Sequence, residues 1–287
     1  MRDYIIATDA DSELLLSYVL EKGLPVFPMP LTLDDVEYNY DLGLTVQIPD
    51  FFEKIANGAS FSSSCKSPWE LKQWFEGLLK TSKNILYIGL SNQLSKHFEN
   101  CVMAAKELME EDPQAKIMLV DTLSISAGQA LLVKKAVALR EAGKSMEEVV
   151  QWLEEHKKNS VVFFSVDDLN YLKRGGRLSG GAAFFGTVLD IKPILHTTED
   201  GKLVPIEKVK GRKKAWRRMA ELVAERILDK DDEIIVQYTD KQAGEWLCQL
   251  LRESCGAENV LLMPVGPVIG GHTGPGVMGL AFMGKER

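Results

Sequence analysis

The sequence predicts an α/β protein with two domains. Over residues 1–165, apolar segments typical of strands alternate with amphipathic segments typical of helices, which predicts a parallel sheet with helices on both faces. From residue 166 onward, two strand-like segments flank an Asp-Gly hairpin signal, which predicts antiparallel pairing. We therefore expect an N-terminal α/β domain with a parallel sheet at residues 1–165 and a C-terminal α/β domain with a mixed or antiparallel sheet at residues 166–287, packed around a cleft.

The N-terminal half contains clear helix start signals. Asp11 is placed to cap a first helix that stops at Gly23, after a strand at residues 4–7. A serine, a proline and a glutamate at the N-cap, N1 and N3 positions predict a helix from Ser67 to about residue 80. A serine and a glutamate with the same capping spacing recur at Ser145. The remaining predicted elements are strands at 85–89, 116–120 and 161–165 and helices at 94–110 and 126–142.

In the C-terminal half the predicted hairpin joins strands at residues 191–197 and 203–209. It is followed by a helix at 212–228, a strand at 233–238, a helix at 242–254, a strand at 259–263 and a last strand near 277–282. Between the last two strands, residues 270–276 read Gly-Gly-His-Thr-Gly-Pro-Gly. Four glycines and a proline disfavour a regular helix, so this segment is expected to be a loop.

Composition excludes several classes of protein. The net charge of −7 over 287 residues argues against a nucleic-acid interface, which needs a dominant basic face. No segment offers about 18 uninterrupted apolar residues, and the N-terminus is too short and too acidic for a signal peptide, so a cytoplasmic protein without a membrane segment is expected. The four cysteines form no C-x-x-C pair and have no histidine at metal spacing, which favours reduced thiols and no metal site.

Three segments carry candidate ligand-binding groups. Residues 60–67 are rich in serine and precede a helix start, and residues 91–95 follow a predicted strand, so both present hydroxyls and free N–H groups to an anion. Simple helix capping is the alternative for each. Residues 270–276 leave His272 as a polar side chain among glycines, either to meet a ligand or as a partly buried histidine in a structural turn.

The segment Lys-Arg-Gly-Gly-Arg at residues 173–177 combines paired glycines with arginines. Such a segment suits an oxyanion or phosphate site, although a solvated surface turn is the alternative. The chain lacks a G-x-x-x-x-G-K-[ST] loop and a strand-linked G-x-G-x-x-G, so autonomous nucleotide binding is not predicted. It also lacks the G-x-S-x-G nucleophile elbow of serine hydrolases.

Taken in order, these motifs resemble the DegV family of bacterial fatty-acid-binding proteins. The resemblance covers essentially the whole chain, and it is carried by Ile-Ala-Thr-Asp at 6–9, the serine cluster before 67–68, Ile-Gly-Leu-Ser at 88–91, Val-Asp at 120–121, Lys-Arg-Gly-Gly-Arg at 173–177, Ile-Lys-Pro-Ile-Leu at 191–195 and the glycine-rich segment at 270–276. The Lys-Arg-Gly-Gly-Arg, Ile-Lys-Pro-Ile-Leu and His-Thr-Gly-Pro-Gly blocks are specific. The serine loops alone are a weak signal.

The resemblance implies a protein that holds a long-chain fatty acid between two domains. It also implies that the protein presents the carboxylate to a separate ATP-dependent fatty acid kinase, which makes an acyl phosphate for phospholipid synthesis. The chain itself is then a binding subunit, without a cofactor and not catalytic alone. By position, the family's carboxylate contacts match Ser63, Ser64, Ser95 and His272. Arg177 matches an arginine near the phosphoryl-transfer end, and Lys210 stands where an arginine is frequent in the family.

Two further expectations concern the acyl chain and the head group. The chain needs a dry tunnel, for which residues 182–185 and 191–195 are candidate walls, with ordinary core packing as the alternative. Ser95 is followed by lysine and histidine where the family has glycine and threonine, which adds bulk and charge beside the ligand. A divergent acyl-lipid sensor or buffer without a kinase partner is therefore the alternative function.

Overall fold

Three sheets and the helices between them are described in the computed structural model, which covers residues 4–180 and 190–287. The strands are β1 (Ile5–Asp9), β2 (Val26–Phe27), β3 (Met29–Leu33), β4 (Val36–Tyr40), β5 (Phe61–Ser63), β6 (Asn84–Gly89), β7 (Lys116–Asp121), β8 (Ser160–Ser165), β9 (Ile191–Thr197), β10 (Leu203–Lys210), β11 (Ile234–Tyr238), β12 (Val260–Pro264) and β13 (Met278–Met283). The α-helices are α1 (Leu16–Lys22), α2 (Phe51–Ala56), α3 (Pro68–Leu79), α4 (His97–Glu111), α5 (Ala127–Glu141), α6 (Met146–His156), α7 (Asn170–Arg174), α8 (Arg212–Arg226), α9 (Lys241–Cys255) and α10 (Pro267–Thr273).

The first sheet is parallel and has the strand order β2-β1-β6-β7. The side chains of successive β6 residues lie on opposite faces of the sheet, as the two-residue period of a strand requires. Ile85 and Tyr87 are buried in a cluster with α3 and α4, whereas Leu86 and Ile88 are buried with α5 and α6. The predicted parallel sheet with helices on both faces is confirmed.

The second sheet has the order β10-β9-β8-β13-β11-β12 and is mixed, because β11 and β12 are parallel while its other pairs are antiparallel. Helices α8 and α9 cover one face, and α5 packs on the other face and also against the first sheet. The α/β fold class with a mixed second sheet is confirmed. Strand β8 belongs to this sheet, so a division by sheets falls before Ser160; the domain boundary at residue 165 stays a prediction.

Several helix starts and the hairpin lie where the sequence predicts them. Ser67 and Ser145 both form capping boxes, in which the serine Oγ accepts from the N3 glutamate N–H at 3.3 and 3.2 Å. Caps of this kind stabilise a helix by about 1 kcal/mol each. Strand β9 has the predicted bounds, and β10 extends one residue further, to Lys210. None of the described helices is long and apolar enough to cross a membrane.

The N-terminal third differs most from expectation. Strands β3, β4 and β5 form a small antiparallel sheet in the order β4-β3-β5, and neither this sheet nor α2 was predicted. The first helix begins at Leu16 because Asp9, not Asp11, caps a short 3-10 helix at Ala10–Ser12, and Glu13 then adopts a left-handed conformation with φ 52°. Helix α4 begins at His97, later than the predicted residue 94.

The prediction of a loop at residues 270–276 was wrong for the first part of this segment, because α10 is helical through Gly270 and Gly271. These glycines allow close packing: a side chain at Gly270 would meet the Phe52 ring, and one at Gly271 would meet the Phe61 ring. The helix ends at Gly274, whose φ of +77° favours glycine.

Candidate functional site

A cavity of about 330 Å³ lies where the carboxyl ends of β1 and β6 face α7 and α10. This volume falls at the lower end of the range for small-molecule sites, roughly 300–1,000 Å³. Most of its lining is apolar, with polar groups at the serine loops, at α10 and after β1. The lining residues are Asp11, Met29, Ser63, Ser64, Cys65, Leu90, Leu94, Ser95, Lys96, Ile125, Leu172, Arg177, Leu203, Val268, Ile269, His272 and Thr273.

A smaller cavity of about 40 Å³ continues this space towards the second sheet. The two cavities share the lining residues Ile125, Leu203, Ile269 and Thr273. Beyond them the path is lined by apolar residues of the second sheet, and it reaches Ser126 and Gln237. We call Ser63, Ser64, Ser95 and His272 the serine end of the cavity, and Ser126 with Gln237 its far end.

At the serine end, Ser63 Oγ lies 2.7 Å from His272 Nε2. Within the described residues, His272 Nδ1 has no hydrogen-bond partner. Burial, and then the charge of Arg177, lower the pKa of His272 from its usual 6.5 to about 4. The imidazole is therefore neutral at neutral pH, and it can orient the Ser63 hydroxyl without adding charge to the site.

The His272 ring is packed between Gly175 and the Phe61 ring. A side chain on Gly175 would meet His272 Nδ1, although its φ of −70° is open to any residue. On the other side, the Phe61 ring of β5 packs edge-on against the imidazole at 5.2 Å between ring centroids. The Lys-Arg-Gly-Gly-Arg segment thus contributes to the site through close packing, as well as through its charges.

Arg177 lies at the same end of the cavity. Its Nε donates to Leu94 O at 3.1 Å and its Nη1 donates to Gly175 O at 2.5 Å, which ties the arginine segment to the loop after β6. Arg177 also lines a separate cavity of about 570 Å³, together with Ser63 and His272. These three residues therefore form a wall shared by the two cavities.

The wider cavity is more polar than the first one. The Arg174 guanidinium lies 4.6 Å from the centroid of the Tyr171 ring, and both residues line this cavity. Ser60 and Ser62 contribute hydroxyl groups to the same lining. The arrangement offers an anion a positively charged approach to the shared wall.

The other predicted site residues have distinct positions. Ser64 and Ser95 line the first cavity, and Ser95 Oγ also accepts from the N–H of His97 at 3.2 Å, so capping and cavity lining coexist there. Lys96 lines the mouth and pairs with Glu99 at 3.0 Å. Lys210 is exposed at the end of β10 and is not among the lining residues of either cavity.

Of the predicted tunnel walls, residues 191–195 are not among the lining residues of the cavity. Residues 182–185 lie outside the described residues. Residues 191–195 belong to β9, where Ile194 and Leu195 are buried in the core clusters around the second sheet. The apolar lining comes instead from β3, the loop after β6, Ile125, α7, the start of β10 and α10. Sequence periodicity marks such residues as apolar, but it does not show which of them leave space between elements.

Sequence reasoning also missed the buried acids at the end of β1 and directly after it. Asp9, Asp11 and Glu13 are all buried, and Asp11 lines the cavity. Glu13 is hydrogen-bonded to Ser126 Oγ, Gln237 Nε2 and the N–H of Gly266. The available signal was three acidic residues at alternate positions directly after an apolar strand.

The far end of the cavity is organised around Glu13. Burial raises the pKa of Glu13 to about 7, against the opposing effect of its hydrogen bonds. Ser126 has one hydroxyl proton, but acceptor atoms of both Glu13 and Gln237 lie within reach, the latter at 2.7 Å. A neutral Glu13 that donates to Ser126 lets Ser126 donate to Gln237, so all three groups are satisfied.

Comparison with known proteins identifies the family. The model of the DegV family, described as a family of uncharacterised proteins, matches residues 4–285. The chain belongs to the DegV family. A DegV domain-containing protein of Clostridium perfringens is 34% identical over 291 residues, covering 100% of this chain and 99% of the relative. A DegV domain-containing protein of Streptococcus pyogenes is 32% identical over 284 residues, covering 99% of each.

Solved structures of DegV proteins share the whole fold. A DegV family protein from Thermus thermophilus, described for its fatty acid binding, superposes with a TM-score of 0.87 at 31% identity over 99% of this chain and 100% of that one. A fatty-acid-binding DegV family protein from Streptococcus agalactiae gives a TM-score of 0.85 at 29% identity over 98% of both chains. These relatives bind fatty acids on the same architecture.

Proposed function

We propose that this protein binds a long-chain fatty acid in the described cavity and presents its carboxylate to a separate ATP-dependent fatty acid kinase, which forms an acyl phosphate. The observation that carries the proposal is the Ser63–His272 pair at one end of a cavity whose lining is mostly apolar. Family membership and the fatty-acid-binding relatives support the ligand class.

The cavity supplies what both parts of a fatty acid need. Each methylene removed from water contributes about 0.8 kcal/mol, so an apolar path favours a long chain. A carboxylate that enters the protein must be met by several donors, because an unpaired buried charge is very costly. The hydroxyls of Ser63, Ser64 and Ser95 are suitable donors, and the neutral His272 can donate through either ring nitrogen.

A separate phosphoryl donor is supported by two features. The sequence lacks a phosphate-binding loop for ATP. Ser63, Arg177 and His272 form the wall that the first cavity shares with the wider polar cavity. A partner protein could therefore approach the carboxylate from the wider cavity. Arg177 would then stabilise the negative charge that develops as the phosphoryl group is transferred.

A reconstituted assay tests this function. Incubated with ATP, magnesium and oleate, the protein alone should form no acyl phosphate, and product should appear when a fatty acid kinase is added. Arg177→Ala and His272→Ala should lower turnover on the order of a hundredfold while lowering fatty-acid retention less, because their contacts matter most in the transition state.

Lys106→Ala is a matched control, because it removes a positive charge from a side chain that is 76% exposed on α4. It should leave turnover unchanged. Acyl phosphate made by the isolated protein would refute the carrier role. Fatty-acid binding without a response to any kinase tested would favour the sensor or buffer alternative.

A further inference from the structure

Asp11 places a carboxyl group against the apolar cavity. The residue lies in the 3-10 helix Ala10–Ser12, directly after β1, and it lines the cavity with only 2% of its surface exposed. Its backbone carbonyl accepts from the N–H of Ser126 at 3.1 Å, which fixes the turn against the start of α5. An acidic side chain is thus held where the acyl chain would pass.

The neighbouring acids have partners, and Asp11 differs from them. Asp9 accepts from Tyr87 Oη at 2.7 Å and from Gln129 Nε2 at 3.0 Å. Glu13 is hydrogen-bonded to Ser126 and Gln237 of the far end and to the N–H of Gly266. Within the described part of the chain, Asp11 Oδ1 is buried without any hydrogen-bond partner. Since leaving such an atom unsatisfied is costly, the occupant of the cavity is the natural source of the missing partner.

The protonation state of Asp11 defines which partner fits. Burial, and then the negative charges of Asp9 and Glu13, raise the pKa of Asp11 well above its ordinary value, and Arg177 opposes this effect. A neutral carboxyl group offers one O–H donor and one carbonyl acceptor. An alcohol hydroxyl also donates and accepts, so it complements a neutral carboxyl, whereas a plain methylene chain satisfies neither atom.

The surroundings of Asp11 place it part-way along the cavity. On one side, Asp11 lines the same cavity as Arg177 and as His272 of the serine end. On the other side, the backbone carbonyl of Asp11 accepts from the N–H of Ser126, which belongs to the far end. A group that meets Asp11 therefore lies between the carboxylate and the end of the acyl chain.

Resting on the proposed function, we propose that the cavity prefers long-chain acids that carry a hydroxyl group part-way along the chain, and that Asp11 binds this hydroxyl. Asp11 would then be a specificity-determining residue. The serine end would hold the carboxylate of any fatty acid, and Asp11 would distinguish hydroxylated chains from plain ones.

Equilibrium binding of stearic acid and of 2-, 10- and 12-hydroxystearic acid to the delipidated protein tests the proposal. A mid-chain isomer should bind about tenfold more tightly than stearic acid, as expected for one additional buried hydrogen bond. Asp11→Leu should reverse this order by favouring stearic acid. Asp11→Asn should keep part of the preference, because an amide both donates and accepts.

Thr273→Val is the matched control, since Thr273 lines the same cavity but its hydroxyl already donates to Ile269 O at 3.0 Å. It should change the affinities for stearic acid and the hydroxystearic acids by the same factor. Equal affinity of the wild type for all four acids would overturn the role of Asp11 and leave the fatty-acid function standing. Failure to bind any of the four would overturn both.

Discussion

At the serine end of the cavity, the hydroxyl of Ser63 bonds to His272, and the second ring nitrogen of His272 has no partner among the described residues. At the far end, Ser126 and Gln237 bond to each other and to the buried carboxyl of Glu13. Both ends contain polar groups, but only the serine end keeps hydrogen-bonding capacity for a ligand. The polar groups of the far end hold the fold together, whereas those of the serine end are available to a ligand.

The contributions of the two ends to folding stability should change with pH in opposite directions. The pKa of His272 is lowered to about 4 in the folded protein, so its contribution to stability is complete above pH 6.5 and is lost as the pH falls towards 4. The pKa of Glu13 is raised from 4.5 to about 7, so its contribution is complete below pH 4.5 and is lost as the pH rises towards 7. Each effect amounts to at most about 3 kcal/mol.

Urea unfolding between pH 4 and 8 measures these contributions. The stability advantage of the wild type over His272→Gln should shrink as the pH falls, and its advantage over Glu13→Gln should grow. If both difference curves stayed flat, neither group would be perturbed as the structure indicates.

A substitution that disturbs the packing at the serine end should have a free-energy effect of nearly the same size. Gly175→Ala introduces a methyl group where His272 Nδ1 lies, so the imidazole must leave Ser63. We expect oleate affinity to fall on the order of a hundredfold, or about 2.7 kcal/mol, as measured by equilibrium binding. Gly77→Ala is the matched control, because nothing lies within 4 Å of a side chain at that helical position. Equal oleate affinity of the two variants would show that the ring position does not matter.

The smallest expected effect distinguishes the two hydroxyls. Ser63→Ala should weaken binding of oleic acid by about 1.5–3 kcal/mol and of oleyl alcohol much less, because the bond to a charged group is the stronger one. Ser126→Ala, at the far end, should affect acid and alcohol alike. Competition against a fluorescent fatty acid measures all four affinities. The same loss for acid and alcohol in Ser63→Ala would make this serine a structural residue, as Ser126 is.

Much of this architecture could be predicted from local signals. The alternation of strands and helices, the capping boxes at Ser67 and Ser145, and the Asp-Gly hairpin depend on neighbouring residues, and all are present in the structure. The resemblance of the motifs to a known family was confirmed by comparison. Predicted residues Ser63, Ser64, Ser95, Arg177 and His272 all line one cavity, although their roles in binding remain proposals.

The features that escaped prediction depend on distant contacts. Gly270 and Gly271 lie in a helix, and the rings of Phe52 and Phe61 pack against them from elsewhere in the chain. Helix propensity alone gives no sign of this. Asp11 lines the cavity in a turn whose backbone carbonyl is held by the N–H of the distant Ser126. Neither contact leaves a periodic signal in the sequence.

The most direct test of fatty-acid binding is mass spectrometry of an organic extract from the purified, denatured protein. If the first cavity holds the acyl chain, each protein molecule should retain one fatty acid of about sixteen or more carbons from the expression host, because its methylenes are buried. The Gly175→Ala variant, purified in parallel, should retain much less. An extract of the wild type without a stoichiometric acyl species, together with no binding of added palmitate or oleate, would contradict the account.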